Sequence, residues 1–128
     1  MSYMEDSVDW QVIELVDEWL DREVAQAYKD QPLAQDWARL SKVIEVIEEL
    51  GEAISNFISY TGQNPRKPVA HSKDDVVDEV LDVVLTGLLC SQHLLKSPAE
   101  VSWRLRQKQG KLYQRMIASE KEREARTT

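Results

Sequence analysis

Apolar residues recur every three or four positions along most of this chain, the period of a helix packed on one side. Trp10, Ile13, Val16 and Leu20 draw the first such stripe. They predict a helix from about Val8 to about Tyr28, with Ser7 as N-cap and room for a break near Arg22. Leu40, Val43, Ile47, Leu50, Ile54 and Phe57 draw the second stripe. Its helix is expected to run from near Pro32 to near Thr61, with Asp30 as cap and Pro32 in the first turn, where its missing N–H costs little. The segment from Gly62 to His71 holds Pro65 and Pro68 and has no helical period. A third helix is predicted from Ser72, with Asp75 at capping-box spacing, to about Leu95. A fourth opens at Ser97-Pro98 with Glu100 following, and reaches about Arg115 or beyond. Residues 118–128 are polar and are expected to fray. No segment reads as a strand. The expectation is a single all-α domain, a four-helix bundle.

The third helix is apolar almost all round: Val76, Val77, Val80, Leu81, Val83, Val84, Leu85, Leu88 and Leu89. A helix of that kind is buried on most sides. Four helices of this length can hardly cover it, so a homodimer or homotetramer is expected to complete the bundle. The longest apolar stretch, Val83–Cys90, is interrupted by Thr86 and Gly87 and is too short to span a bilayer. Cys90 stands alone, which excludes a disulfide framework and argues against a thiolate zinc site. With no apolar leader at the start, the chain reads as soluble and cytoplasmic.

Charge sharpens the picture. The net charge is −7. Glu45, Glu48, Glu49 and Glu52 on the second helix, with Asp74, Asp75, Asp78, Glu79 and Asp82 on the third, account for more than all of it. The acidity is local, and no basic footprint for nucleic acid is visible. No Lys or Arg occurs between Val43 and Pro65, or between Asp74 and Leu95. Solvated helix faces usually mix signs, with Lys four residues after Glu. Helical spacing gathers Glu45, Glu49 and Glu52 on one face, flanked by Glu48, and Asp75, Glu79 and Asp82 on another. Asp82 continues into the apolar positions Leu85 and Leu89, so it is expected to point toward the core. Carboxylates crowded in this way repel unless a cation lies between them. An all-oxygen ligand set suits Mg²⁺, Mn²⁺ or Ca²⁺. Neither His71 nor His93 follows a Glu at the Glu-x-x-His spacing of di-iron bundles.

Glu48-Glu49-Leu50-Gly51-Glu52 and Glu79-Val80-Leu81-Asp82 resemble the paired Glu-Glu-x-x-Glu and Glu-x-x-Asp motifs of the MazG-like, all-α nucleoside triphosphate pyrophosphohydrolases. The loop Thr61-Gly-Gln-Asn-Pro-Arg-Lys67, followed by His71 and Asp75, is similar to that of small MazG-like proteins of actinobacteria and their phages. The similarity spans about Trp10 to Leu95. The resemblance implies a four-helix bundle assembled from dimers, with Mg²⁺ (or Mn²⁺) held by Glu49, Glu52, Glu79 and Asp82. It implies cleavage of a nucleoside triphosphate to the monophosphate and pyrophosphate by a metal-activated water. Glu48 and Glu45 are the candidate bases. A catalytically inactive nucleotide- or protein-binding module of the same fold is the alternative. Many relatives carry an Asn with following Lys and Arg in the last helix. Here Gln107 and Gln109 stand beside Lys108, Lys111 and Arg115.

Basic residues near these motifs have two readings. Arg66 and Lys67, with Asn64 beside them, either contact phosphates or a partner subunit, or serve solubility and turn formation. Lys108, Lys111 and Arg115 either clamp a triphosphate or line a solvated face. Trp10, Trp19, Trp37 and Trp103 read first as packing anchors. Trp37 is the one best suited to a nucleobase pocket.

Overall fold

The computed structural model describes residues 7–29, 31–58 and 72–127. Four helices follow one another: α1 (Trp10–Ala27), α2 (Ala34–Ile58), α3 (Lys73–Leu95) and α4 (Pro98–Thr127). No strand occurs among the described residues. The chain divides into two compact units, Met1–Lys96 and Ser97–Thr128.

Local chemistry explains the helix ends. Asp9, not Ser7, caps α1, its Oδ1 accepting from the Val12 N–H at 3.1 Å. The helix then runs unbroken past Arg22 to Ala27. α2 begins two residues later than expected, because Pro32 and Leu33 form the turn that precedes it. Asp30 and the segment 59–71 lie outside the described residues, and with them the expected cap and the far end of the second helix. At α3 the capping box forms as expected. The Ser72 hydroxyl accepts from Asp75 N at 3.1 Å, and the Asp75 carboxylate accepts from Ser72 N at 2.9 Å. At α4 the Ser97 hydroxyl accepts from Glu100 N at 3.1 Å. α4 remains helical to Thr127, beyond the frayed end expected from residue 118. Pairs at helical spacing support it there, Glu120 with Arg123 at 2.7 Å and Glu122 with Arg126 at 4.0 Å.

In the first unit α2 and α3 form the most extensive pairing, and α1 packs on both. His93, near the end of α3, reaches Asp36 in the first turn of α2 at 2.6 Å. The two long helices therefore run antiparallel. The packed stripe of α2 is Arg39, Val43, Val46, Leu50, Ala53 and Phe57. It is rotated from the expected one, since Leu40, Ile47 and Ile54 are 48%, 51% and 40% exposed. The stripe of α3 is Val76, Glu79, Val83, Thr86 and Cys90.

Each helix carries two different flanks beside its packed stripe. In an antiparallel pair, residues displaced in the same rotational sense from the contact line emerge on the same side. Ile44, Ile47, Ile54 and Ile58 therefore share one side with Val77, Val80, Leu81 and Val84. All eight are exposed. Glu45, Glu49 and Glu52 share the opposite side with Asp75 and Asp82. Much of the apolar surface of α3 is thus exposed among the described residues, and Asp82 is exposed instead of pointing into the core. Its angular position, one step beyond Glu79 on the acidic flank, accounts for this.

Candidate functional site

Of the expected metal ligands, Glu49, Glu52 and Asp82 are exposed, as are the candidate bases Glu45 and Glu48. Glu45 accepts a hydrogen bond from Lys42 at 3.2 Å, both ends being solvated. Glu48 and Glu52 line an open surface hollow with Gly51, Ser55 and Asn56. Glu79 is half-buried at the edge of the α2–α3 contact, and its Oε2 is enclosed without a hydrogen-bond partner. That is costly for a carboxylate oxygen. No three of these carboxylates bring ligand atoms within 4.8 Å of one another. Asn64, Arg66, Lys67 and His71 lie outside the described residues. Lys108 and Lys111 are exposed on α4, where Lys111 and Arg115 line a shallow surface with Arg106 and Gln114. Trp37 meets Tyr28 edge to face at 6.3 Å, and the two rings, with Pro32 and Leu33, line an open apolar hollow of about 380 Å³.

The structure also gathers a polar cluster that sequence patterning missed. Asp17 of α1, Arg39 of α2, and Gln92 and His93 of α3 are all buried, with Asp17 at 1% exposure. Arg39 Nη2 donates to the Asp17 carbonyl at 3.1 Å and to Asp21 Oδ1 at 3.0 Å, and lies 3.4 Å from Asp17 Oδ1. Lys96 Nζ donates to Asp17 Oδ2 at 2.8 Å and Asp21 Oδ2 at 2.6 Å. Gln35 Nε2 donates to the Asp21 carbonyl at 2.8 Å. One signal for this cluster was available. Asp17, Arg39 and His93 each occupy a position on an otherwise packed stripe, where a charge requires a partner from a neighbouring helix.

Asp17, Asp21 and His93 are the only three carboxylate, imidazole or thiol side chains among the described residues whose ligand atoms all lie within 4.8 Å. They form a candidate site for a divalent cation. Their carboxylates already carry Arg39 and Lys96. Lys96 closes α3 in a left-handed conformation, φ 51° and ψ 33°, where glycine is the usual choice. That backbone costs about 1–2 kcal/mol for a residue with a Cβ. The side chain offsets the strain by reaching both aspartates.

Burial lowers the Lys96 pKa, but the hydrogen bonds and charges of Asp17 and Asp21 outweigh it, so the ammonium is held above its ordinary value. Burial likewise raises the Cys90 thiol, opposed by Arg39 and aided by Asp36. Both folded-state shifts are upward, so both contributions are complete at neutral pH and disappear as pH rises through the folded values. Urea denaturation should therefore give a plateau at neutral pH. Stability should begin to decline above about pH 8.5, where the unfolded thiol ionises, and fall further above about pH 10.4 as unfolded lysine deprotonates. Lys96→Met should flatten the upper part of that decline.

No protein-family model, curated protein or solved structure matches the chain.

Proposed function

We propose that the chain is a Mg²⁺-dependent nucleoside triphosphate pyrophosphohydrolase of the MazG-like type. The reading is carried by one arrangement: Glu48-Glu49-x-x-Glu52 and Glu79-x-x-Asp82 on two antiparallel helices, their acidic flanks on the same side. Glu79 Oε2, enclosed and without a partner, supports it further. A divalent ion would be held by Glu49, Glu52, Glu79 and Asp82 and would supply a Lewis acid for the phosphates and an acidified water. Glu48, free of the ligand set, would take the proton from that water, with Glu45 next to it in line. Asn64, Arg66 and Lys67 of the 59–71 segment are the proposed phosphate contacts. The test is pyrophosphate release from a panel of ribo- and deoxynucleoside triphosphates, with and without Mg²⁺. Turnover that requires the metal supports the enzyme.

A second reading is a non-catalytic nucleotide- or protein-binding module of the same fold. It is favoured by the spread of the acidic side chains, no three of which converge within 4.8 Å. Nucleotide binding without turnover of any triphosphate would select it.

Either protein is proposed to be a homodimer or homotetramer, assembled through the apolar side of α2 and α3. Exposed contiguous apolar surface on this scale marks an association site. Sedimentation of the native chain is expected to give a dimer or tetramer, and Leu81→Lys is expected to shift it to monomer. A native chain that sediments as a monomer would remove this part of the proposal. No described helix is long and apolar enough to cross a membrane.

A further inference from the structure

The geometry points to a second metal site, for a borderline divalent transition metal such as Zn²⁺, formed by Asp17, Asp21 and His93 and independent of the acidic flank of α2 and α3. The deciding group is His93. Its side chain is 7% exposed, and Nε2 lies 2.6 Å from Asp36 Oδ1. A carboxylate only accepts, so Nε2 carries the proton in that bond. Nδ1 is enclosed and has no hydrogen-bond partner. It is aimed at two further carboxylates, 3.6 Å from Asp21 Oδ1 and 3.9 Å from Asp17 Oδ1. In the neutral ring Nδ1 presents a lone pair. A lone pair facing two anionic oxygens is repulsive, and a cation bound by all three atoms relieves that repulsion.

The spacing suits a small ion. Metal bonds of about 2.0–2.2 Å in tetrahedral geometry separate neighbouring ligand atoms by about 3.3–3.6 Å; of the observed Nδ1–Oδ1 distances, that to Asp21, 3.6 Å, falls in this range and that to Asp17, 3.9 Å, lies just above it. An imidazole nitrogen beside two carboxylates selects Zn²⁺-like ions over Mg²⁺. Asp36 supplies the supporting carboxylate that metal-bound histidines ordinarily have on their other nitrogen.

Charge is consistent with the same ion. Three carboxylates, Asp17, Asp21 and Asp36, stand beside two fixed cations, Arg39 and Lys96. Lys96 is half exposed and can turn its ammonium to water. With Lys96 turned away, a dication at the Oδ1 atoms, together with Arg39, balances the three carboxylates. Arg39 keeps its bonds, because each Oδ1 has a second lone pair. Lys96 therefore competes with the metal through its charge, from the Oδ2 side of both carboxylates.

The test uses the full chain, stripped with chelator and free of Mg²⁺, titrated with Zn²⁺ alone and with Co²⁺ alone. One Zn²⁺ per chain is expected to bind and to raise the melting temperature. Co²⁺ is expected to give the visible d–d absorption of a tetrahedral site. His93→Gln should abolish both signals. Asp36→Asn, at a position half open to solvent, should weaken binding by about 10–100-fold without unfolding the chain. Lys96→Gly relieves the left-handed backbone and removes the competing ammonium, so it should tighten Zn²⁺ binding about tenfold. Glu52→Gln should leave Zn²⁺ binding unchanged, which separates this site from the proposed Mg²⁺ site. The inference is overturned if Zn²⁺ does not bind, if binding survives His93→Gln, or if Lys96→Gly fails to strengthen it.

Discussion

Asp17→Leu is expected to destabilise the fold by about 3–5 kcal/mol, the usual effect of removing one partner from a buried ion pair. For a domain of this size that corresponds to a fall in melting temperature of roughly 10–20 °C. The Asp17 side chain is 2% exposed, and the Arg39 side chain it faces is 5% exposed. Without the carboxylate, Arg39 retains only Asp21 and the residue-17 carbonyl, and Lys96 loses one of its two anions. The double variant Asp17→Leu, Arg39→Met is expected to recover most of the loss, because the pair costs desolvation on both sides. A double-mutant cycle by urea denaturation isolates the coupling, expected to be on the order of 2 kcal/mol. Losses that simply add would mean that the two side chains act separately. The outcome matters for function as well as stability, since this pair joins α1 to the end of the α2–α3 hairpin on which the acidic residues are mounted.

Glu52→Gln and Asp82→Asn are each expected to lower pyrophosphate release by about a hundredfold or more, the scale on which preorganised charge acts in a reacting site. Their effect on folding should be the reverse of what such a loss suggests. Both side chains are exposed, and both belong to a flank of like charges. Removing one charge should leave metal-free stability within about 0.5 kcal/mol, or raise it slightly. Mg²⁺ should raise the melting temperature of the parent chain and lose that effect in the variants. Thermal shift with and without Mg²⁺, read beside turnover of the best triphosphate, separates the two contributions. Loss of activity accompanied by loss of structure would refute the assignment of these residues to a metal site.

Helical periodicity made four helices legible, and local hydrogen-bond chemistry at Ser72 and Ser97 located the starts of α3 and α4 to the residue. These signals are short-range: a cap and its N–H group lie three residues apart. The phase of α2 was not legible. Leu40, Ile47 and Ile54 repeat as regularly as Val43, Val46, Leu50 and Ala53, and either stripe satisfies the helix. Packing against α3 selected the second.

The sequence by itself determined the helical class and the acidic motifs, because composition and spacing along one helix suffice for each. Only the tertiary structure decided which apolar stripe was enclosed and that Asp82 faces outward. It alone joined Asp17, Arg39, His93 and Lys96, up to 79 residues apart, into one cluster. Contacts between helices depend on rotation about each axis and on which neighbour arrives, and neither is encoded in the period of a single helix.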